Sequence, residues 1–376
     1  MSTTDQRFAS EALVAWTEQL LVHLGVARSH AQSCARVLGS ADLRGIDSHG
    51  VARLPAYVAM VQRGAVAVAA EPRVDRRDGA TALVDAANGL GHPASELSMD
   101  LAIELAGELG IGWVVTRNSN HYGIAGHYAQ MAAEAGFIGL TGTNAGARVA
   151  PAGARQAFFG TNPLAMAAPT DQPPMFLLDM ATSAVSTGKF ELAAREGRAI
   201  ADGLGVDRDG AGTRDPNQLA AGGWLLPLGS FPELSNHKGS GLALMVEILS
   251  ALLAGGPYGP NVQNLLFADS EKPPGVSHYF CAIDPARFGD PAGFTARVTA
   301  MLGAIRELPA THPERPVMTP GEPEWREEGR RRKRGVPLIA PVIEALTVLG
   351  EQVGVGFVEA GQGLGTSASD TVASDG

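Results

Sequence analysis

A short polar turn, Arg117-Asn118-Ser119-Asn120-His121-Tyr122-Gly123, lies between two apolar runs of different period. Ile111 to Thr116 is rich in β-branched residues and includes Trp113, while Ile124 to Ala135 is amphipathic. The pair dictates a strand handing the chain to a helix, and therefore a sheet with helices packed on it. Ligands often bind where a sheet hands over to a helix. His121 stands at that point, and an imidazole can move protons near neutral pH. A plainer reading stays open: the histidine is a satisfied structural group, and Asn118, Ser119 or Asn120 caps the helix.

At 376 residues the chain exceeds one ordinary domain, which predicts two interleaved lobes sharing a large core. A net charge of −10 argues against nucleic acid, because phosphate binding needs a basic face. The one basic run, Arg330 to Arg334, follows Glu322, Glu324, Glu327 and Glu328 and reads as a solvated face or an anion-facing patch. Cys34 and Cys281 are too few for a disulfide framework. No segment approaches ~20 apolar residues, and the N-terminus has no basic stretch before an apolar one. The expectation is a cytoplasmic protein with no membrane partner.

Taken in order, Thr4 to Val22 and Arg28 to Leu43 read as helices carried by leucine and alanine. Arg44-Gly45-Ile46-Asp47-Ser48-His49-Gly50 follows, and Pro55 suits the first turn of a helix running to about Val61. Asp47 or Ser48 could simply cap backbone N–H groups there. The chemical reading is a histidine beside a serine, with Arg53 able to hold a carboxylate bidentately and Tyr57 adding a hydroxyl.

Thr81 to Ala86 reads as a strand, and Gly89-Leu90-Gly91-His92-Pro93-Ala94 imitates the GxGxxA turn of a dinucleotide-binding Rossmann unit before a helix from about Ser95. That unit wants an acidic residue ending the next strand. This one ends in Thr116-Arg117, so a structural turn is the better reading, with a 2′-phosphate on Arg117 as the alternative. Asp179-Met180-Ala181-Thr182-Ser183 closes a short strand before a helix from about Ser186. It could offer backbone N–H groups to phosphate or ribose, or merely cap that helix. Asp207-Arg208-Asp209-Gly210 lacks the acidic residue that would close a calcium loop and reads as a hairpin turn. His237-Lys238 opens a helix, Leu242 to Leu253, apolar nearly all round and so expected to be buried. A lysine there adds to the helix dipole and suits an anion, unless it is simply exposed. Beyond Gly361 a disordered tail, 361–376, is expected.

Six segments in this order carry a resemblance: Arg-Gly-Ile-Asp-Ser-His-Gly at 44–50, Asn-His-Tyr-Gly at 120–123, Gly-Thr-Asn-Pro at 160–163, Asp-Met-Ala-Thr-Ser at 179–183, His-Lys-Gly at 237–239 and Pro-Gly-Glu at 320–322. Together they resemble the type-2 malate/L-lactate dehydrogenase family, which includes ureidoglycolate, L-sulfolactate and diketogulonate oxidoreductases and a cyclic-imine carboxylate reductase. The resemblance covers about residues 5 to 355. It implies a mixed α/β fold in which a non-Rossmann sheet lobe, 76–314, binds NAD or NADP. A mainly helical lobe would form from both ends of the chain, 1–75 with 315–360, and the chain would be a homodimer with its active site between lobes.

By the same resemblance His121, or His49 supported by Ser48, is the acid/base. Asn144, Asp179, Met180, Ala181, Thr182, Ser183, His237, Lys238, Pro320, Gly321 and Glu322 would line the cofactor. The family often has a serine and prolines after the asparagine where this chain reads Asn144-Ala145-Gly146-Ala147, so a serine hydroxyl to the cofactor is absent here. The expected substrate is a 2-oxo or 2-hydroxy acid, with Arg53 and Tyr57 at its carboxylate, and the alternative is a cyclic imine carboxylate. A metal-dependent hydrolase using His49, His121, His127 and Asp179 is the competing enzyme class, and a ligand-binding protein without turnover is the other. No H-E-x-x-H or comparable ligand pair appears, so no metal is expected.

Overall fold

The computed structural model describes residues 6–263 and 271–361. The elements are β1 (Gln6–Phe8), α1 (Ser10–His23), α2 (Arg28–Leu43), α3 (Leu54–Gln62), β2 (Arg73–Asp78), β3 (Thr81–Asp85), α4 (Gly91–Leu109), β4 (Ile111–Ser119), α5 (Ala125–Glu134), β5 (Ile138–Thr143), β6 (Leu164–Ala168) and β7 (Phe176–Met180). They continue with α6 (Thr187–Arg195), β8 (Gly205–Val206), β9 (Trp224–Leu225), α7 (Asn236–Glu247), β10 (Val276–Ile283), α8 (Pro291–Arg306), α9 (Glu322–Arg334), β11 (Val336–Leu338) and α10 (Ala340–Val353).

Seven strands form one mixed sheet in the order β2-β3-β4-β10-β5-β6-β7. Only β3 and β4 run parallel, joined through α4, and every other neighbouring pair is antiparallel. One parallel crossover inside an antiparallel sheet excludes the doubly wound Rossmann arrangement, which needs parallel strands on both sides of a switch point. Strand β10 is central, and each of its residues from Val276 to Ala282 is buried. Its Phe280 and Ala282 join Val114 of β4 in the core beneath α4 and α5, while Tyr279 joins Val115 in a smaller cluster on the opposite face. That period of two is what a strand covered on both faces shows.

A second apolar core lies apart from the sheet. It gathers Leu13, Trp16 and Leu20 of α1, Cys34 and Leu38 of α2, Leu54 and Val58 of α3, and Val336, Leu346 and Leu349 from the far end of the chain. Antiparallel pairing of β1 with β11 fastens those two ends together. The stretch from Thr4 that reads as helix is in part this strand, because Gln6 to Phe8 find a partner in Val336 to Leu338. Local helical spacing lost to a long-range ladder.

Helix α7 departs from expectation. The chain buries Ala243, Val246, Ser250 and Ala251 along α7 and the π-helical turn that continues it, Ile248–Leu252. On the other side, however, Leu244, Met245, Ile248, Leu252 and Leu253 are 46%, 38%, 47%, 48% and 56% exposed. The expected full burial is therefore wrong for one chain: an apolar stripe at helical spacing faces outward. The Asp207 turn behaves as read, its carboxylate accepting from the backbone N–H groups of Asp209 and Ala211, both at 2.9 Å. Of the tail, 361–376, only Gly361 falls among the described residues.

Candidate active site

Strand β4 runs on through Arg117, Asn118 and Ser119 of the expected turn, and its end and the residues that follow are rigid. Asn88 N–H donates to Asn118 O at 2.7 Å, and Asn120 Nδ2 donates to Gly89 O at 2.6 Å, locking this turn to the one that precedes α4. Gly91 makes that contact possible, since a Cβ there would sit 2.3 Å from Asn120 O and 2.6 Å from His121 O. Gly91 of the GxGxxA stretch thus admits the neighbouring backbone, as the reading of a structural turn expects. Arg117 is likewise occupied, donating to Asp75 Oδ2 at 2.8 Å.

None of Asn118, Ser119 or Asn120 caps α5. Its N-terminus is served from β7 instead, where Asp179 Oδ2 accepts from Gly126 N–H at 2.7 Å. Burial, only partly offset by that bond, pushes the Asp179 carboxyl up to about 6.

His121 is held on one edge by two donors. Its Nδ1 lies 3.2 Å from Gly123 N–H and 2.7 Å from the Tyr57 hydroxyl. A backbone N–H can only donate, so the neutral ring must carry its proton on Nε2. Burial first, then the charges of His49, Arg53, His92 and His278, hold its pKa well below 6.5. The His49 ring lies beside it, with centroids 5.5 Å apart and planes 26° from parallel.

His49 sits at the end of a 3-10 turn, Asp47–His49, where Ser48 Oγ and His49 Nδ1 are 2.8 Å apart. Its pKa falls to about 4, chiefly by burial and then by Arg53. Asp47 and Ser48 do not cap this segment. The buried Asp42 does that work, accepting from Val51 N–H at 2.9 Å, while Asp47 pairs with Arg331 of α9. Arg53 Nε donates to Ser48 O, tying the guanidinium to the same turn.

Ser48, His49, Arg53, His121 and Asn144 line one cleft together with Tyr122, Gly123, Thr143, Ala145, Gly146, Arg148, Thr161, Pro163, Ser186, Thr187, Gly188, Gln263 and Val276. Tyr57 stands behind it as the partner of His121. The remaining expected cofactor residues do not line it. Thr182 Oγ1 donates to Thr161 O and Asn162 O at 3.1 and 3.0 Å, and Ser183 Oγ to Val185 O at 2.8 Å, so both shape the loop that presents Ser186 to Gly188. Met180 and Ala181 precede that loop. His237 and Lys238 are exposed on the first turn of α7. At Pro320-Gly321-Glu322, Pro320 O accepts from Leu177 N–H at 3.2 Å, and the Glu322 carboxylate is taken by Arg306 and Arg326 at 2.7 and 2.6 Å.

Sequence reasoning missed Arg148, Thr161 and the start of α6 as parts of the cleft. Arg148 followed directly on a run of small residues that leaves room before it, and that was the available signal.

A model of the malate/L-lactate dehydrogenase family matches residues 8–347. The chain belongs to that family. It is 43% identical to a malate dehydrogenase of Pyrococcus horikoshii over 93% of this chain and 96% of the relative. The solved structure of Pyrococcus horikoshii malate dehydrogenase superposes with a TM-score of 0.87 over 95% of this chain and 99% of that one, at 40% identity. A Δ1-pyrroline-2-carboxylate/Δ1-piperideine-2-carboxylate reductase of Pseudomonas syringae is 35% identical over 85% of this chain and 88% of its own length. Membership in the malate/L-lactate dehydrogenase family makes the chain an oxidoreductase that uses NAD or NADP.

The cleft suits such a group. The first residues of α6 line it, and a helix N-terminus offers unpaired backbone N–H groups to a diphosphate. Among the described residues no three His, Cys, Asp or Glu are grouped to hold a metal, and His127 faces Glu96 at 3.5 Å. No described helix is long and apolar enough to cross a membrane.

The buried histidines behind the cleft set an acid limit on stability. His92 and His278 are 0% exposed, and burial lowers each from 6.5 to about 3. Between those values the unfolded chain binds protons that the folded chain refuses. Their stability is therefore whole above about pH 6.5 and is lost as pH falls toward 3. Asp42 and Asp179, raised from 3.8 to about 7 and 6 chiefly by burial, act in the opposite sense as pH rises through that range. With His49 and His121 also depressed, four histidines outweigh two carboxyls. Thermal unfolding followed by circular dichroism should show Tm declining from about pH 6.5 downward; a plateau down to pH 4.5 would contradict the neutral histidines.

Proposed function

We propose that the chain interconverts a 2-oxo acid and the corresponding 2-hydroxy acid in the cleft between the sheet and the Asp47–Arg53 segment. The observation that carries this is His121, oriented by Tyr57 and Gly123, facing His49 with Arg53 in the same cleft. When bound, the nicotinamide cofactor supplies the hydride. Asn144, Thr161 and the Ser186–Gly188 turn would hold it, with Asp179 to Ser183 and Pro320 to Glu322 as outer supports, and His237 and Lys238 at its anionic parts.

Arg53 would take the substrate carboxylate. Neutralising Arg53 removes one of the lesser causes that depress His121, after burial and His49, and so favours uptake of a proton from solvent as the acid binds. Tyr57 Oη, a donor to the neutral ring, then turns acceptor for Nδ1–H. The imidazolium gives its Nε2 proton to the developing alkoxide and keeps its Nδ1 proton hydrogen-bonded to Tyr57 Oη, which leaves Nε2 free. In the reverse direction the same ring accepts that proton. Reduction of a cyclic imine carboxylate needs the same proton placement, and the Pseudomonas syringae relative favours it as the second reading.

The division into a helical lobe, 1–75 with 315–360, and a nucleotide-binding lobe, 76–314, belongs to this proposal and is supported by the two separate apolar cores. So does a homodimer, for which the outward stripe of α7 is the support: contiguous exposed apolar surface marks an interface. Sedimentation velocity should give twice the 38.9 kDa chain mass, and Ile248→Asp should shift it toward one chain. A cytoplasmic setting suits the two buried free thiols, Cys34 and Cys281.

The deciding assay follows the absorbance of NADH and NADPH with purified protein against pyruvate, oxaloacetate, sulfopyruvate, diketogulonate and a cyclic imine carboxylate. Oxidation of a cofactor with at least one acid is expected. Silence without nucleotide binding would overturn the reading.

A further inference from the structure

The chain carries a net charge of −10, yet a cleft of about 770 Å³ beside α9 reverses that sign locally. Its lining residues are all different from those of the active-site cleft. Arg44, Arg326, Arg330, Arg332, Lys333 and Arg334 line it, against one carboxylate, Glu328, among the described lining residues. The basic run Arg330 to Arg334 thus faces a concave surface, except for Arg331, which turns away to Asp47.

Cations in the last turn of a helix complement its dipole, but that dipole leaves only about half a negative charge there. Four consecutive basic residues, Arg331 to Arg334, exceed it. Arg330 and Arg332 pair with Glu327 and Glu328, whereas Lys333 and Arg334 pair with no carboxylate among the described residues. Two further observations lie outside any account of a helix end. Arg44, which follows α2, is 7% exposed; its Nη1 donates to Gln130 Oε1 at 2.6 Å, but its Nε is buried without a partner. A buried donor left unpaired is costly, and an incoming oxyanion would relieve it. Gly329 stands inside α9, where glycine is among the poorest helix formers. A Cβ built there would meet nothing within 4 Å among the described residues, so packing does not ask for the glycine.

Trp325, Gly329 and Lys333 follow one another at intervals of four residues and so share a face of α9. All three line the cleft, and Trp325, 47% exposed, does so beside Pro174 and Met175. From Trp325 to Lys333 the helix rises about 12 Å, with aromatic surface at one end, bare backbone in the middle and positive charge at the other. We propose that this cleft binds a nucleoside triphosphate, with its base on Trp325, its ribose over Gly329 and its phosphates among Arg44, Arg330, Arg332, Lys333 and Arg334. Bases of any kind stack on an aromatic ring, and guanidinium groups take phosphate oxygens bidentately. A polyanion without a base would use the charge but neither Trp325 nor Gly329. The site is independent of the oxidoreductase reading above.

The test is titration calorimetry of the full chain with ATP, inorganic tripolyphosphate and adenosine, in the presence of excess NADH or NADPH. ATP should bind about tenfold more tightly than tripolyphosphate, and adenosine not measurably. Trp325→Ala should bring ATP down to the tripolyphosphate level, and Lys333→Gln combined with Arg334→Gln should weaken both by about tenfold. Gly329→Ala separates ligand from fold: Tm should rise by about 1 °C, because the helix improves, while ATP affinity falls by about fivefold, because a methyl group enters the cleft. Equal affinity for ATP and tripolyphosphate would overturn the proposal, leaving a plain basic patch. Loss of ATP binding in excess dinucleotide would overturn it too, since the cleft would then hold part of the cofactor, and so would variants that bind ATP as the wild type does. A protein that binds ATP but no dinucleotide would sink the oxidoreductase reading and uphold this one.

Discussion

Replacing His121 with asparagine should lower kcat for 2-oxo acid reduction by about a thousandfold, within the 10²–10⁴ range typical of positioned proton transfer. Asparagine keeps a polar group near Gly123 N–H and Tyr57 but cannot carry a proton to an alkoxide. Because both donors meet Nδ1, at 3.2 and 2.7 Å, the free Nε2 edge is the one left to face a substrate. His49 is held differently, through one short contact from its own neighbour Ser48 at 2.8 Å. Its replacement by asparagine should cost about tenfold, by removing a charge-sensitive neighbour of His121 and loosening Ser48. Steady-state kinetics of both variants separate the roles. If His121→Asn kept near-wild-type kcat while His49→Asn lost it by orders of magnitude, the assignment would be reversed. A Tyr57→Phe variant adds a finer check: losing the acceptor for the protonated ring should move the pH profile of kcat downward without abolishing turnover.

Gly91→Ala should destabilise the cofactor-free protein by about 3 kcal/mol, at the upper end of the cost of overpacking. The added methyl would meet two backbone carbonyls, Asn120 O at 2.3 Å and His121 O at 2.6 Å, and a backbone cannot swing aside as a long side chain can. Relief would come by displacing the turn that carries His121, so kcat should fall as well. The alternative meaning of a GxGxxA sequence predicts something else. If Gly91 served a pyrophosphate, alanine would raise the cofactor KM and leave the stability of the empty protein unchanged. Denaturant unfolding without nucleotide, beside the cofactor KM, distinguishes the two.

How much of this was legible in the sequence differs from residue to residue. The strand-turn-helix around His121 was, because a run rich in β-branched residues gives way to an amphipathic one across a seven-residue, largely polar stretch, and both patterns are local. The polar turn with Ser48, His49 and Arg53 was legible as chemistry for a similar reason: residues four or five apart share a neighbourhood in any compact backbone. The family could be named from six short segments in order, although no single segment would have sufficed.

Other features could not be read locally. Strand β1 exists because Val336 to Leu338 lie beside it, more than 300 residues onward. Asp179 caps α5 from β7, 53 residues away from Gly126, and Asp42 rather than its polar neighbours secures the segment after His49. A cap of this kind leaves no trace in the spacing that capping rules use, since those rules describe a helix's own flanking residues.

The outward stripe on α7 shows the same limit from the other side. Its composition established an apolar helix, but whether that surface meets the sheet, the solvent or another chain depends on what the fold has left uncovered. What the sequence by itself determined, then, was the kind of chemistry and the local elements that carry it, because propensity and periodicity act over a few residues. Only the tertiary structure decided that His49, His121, Arg53 and Arg148 share one cleft and that Gly91 admits a neighbouring backbone. Those outcomes depend on contacts between segments far apart in the chain, where sheet order and packing choose among alternatives that local sequence leaves equal in energy.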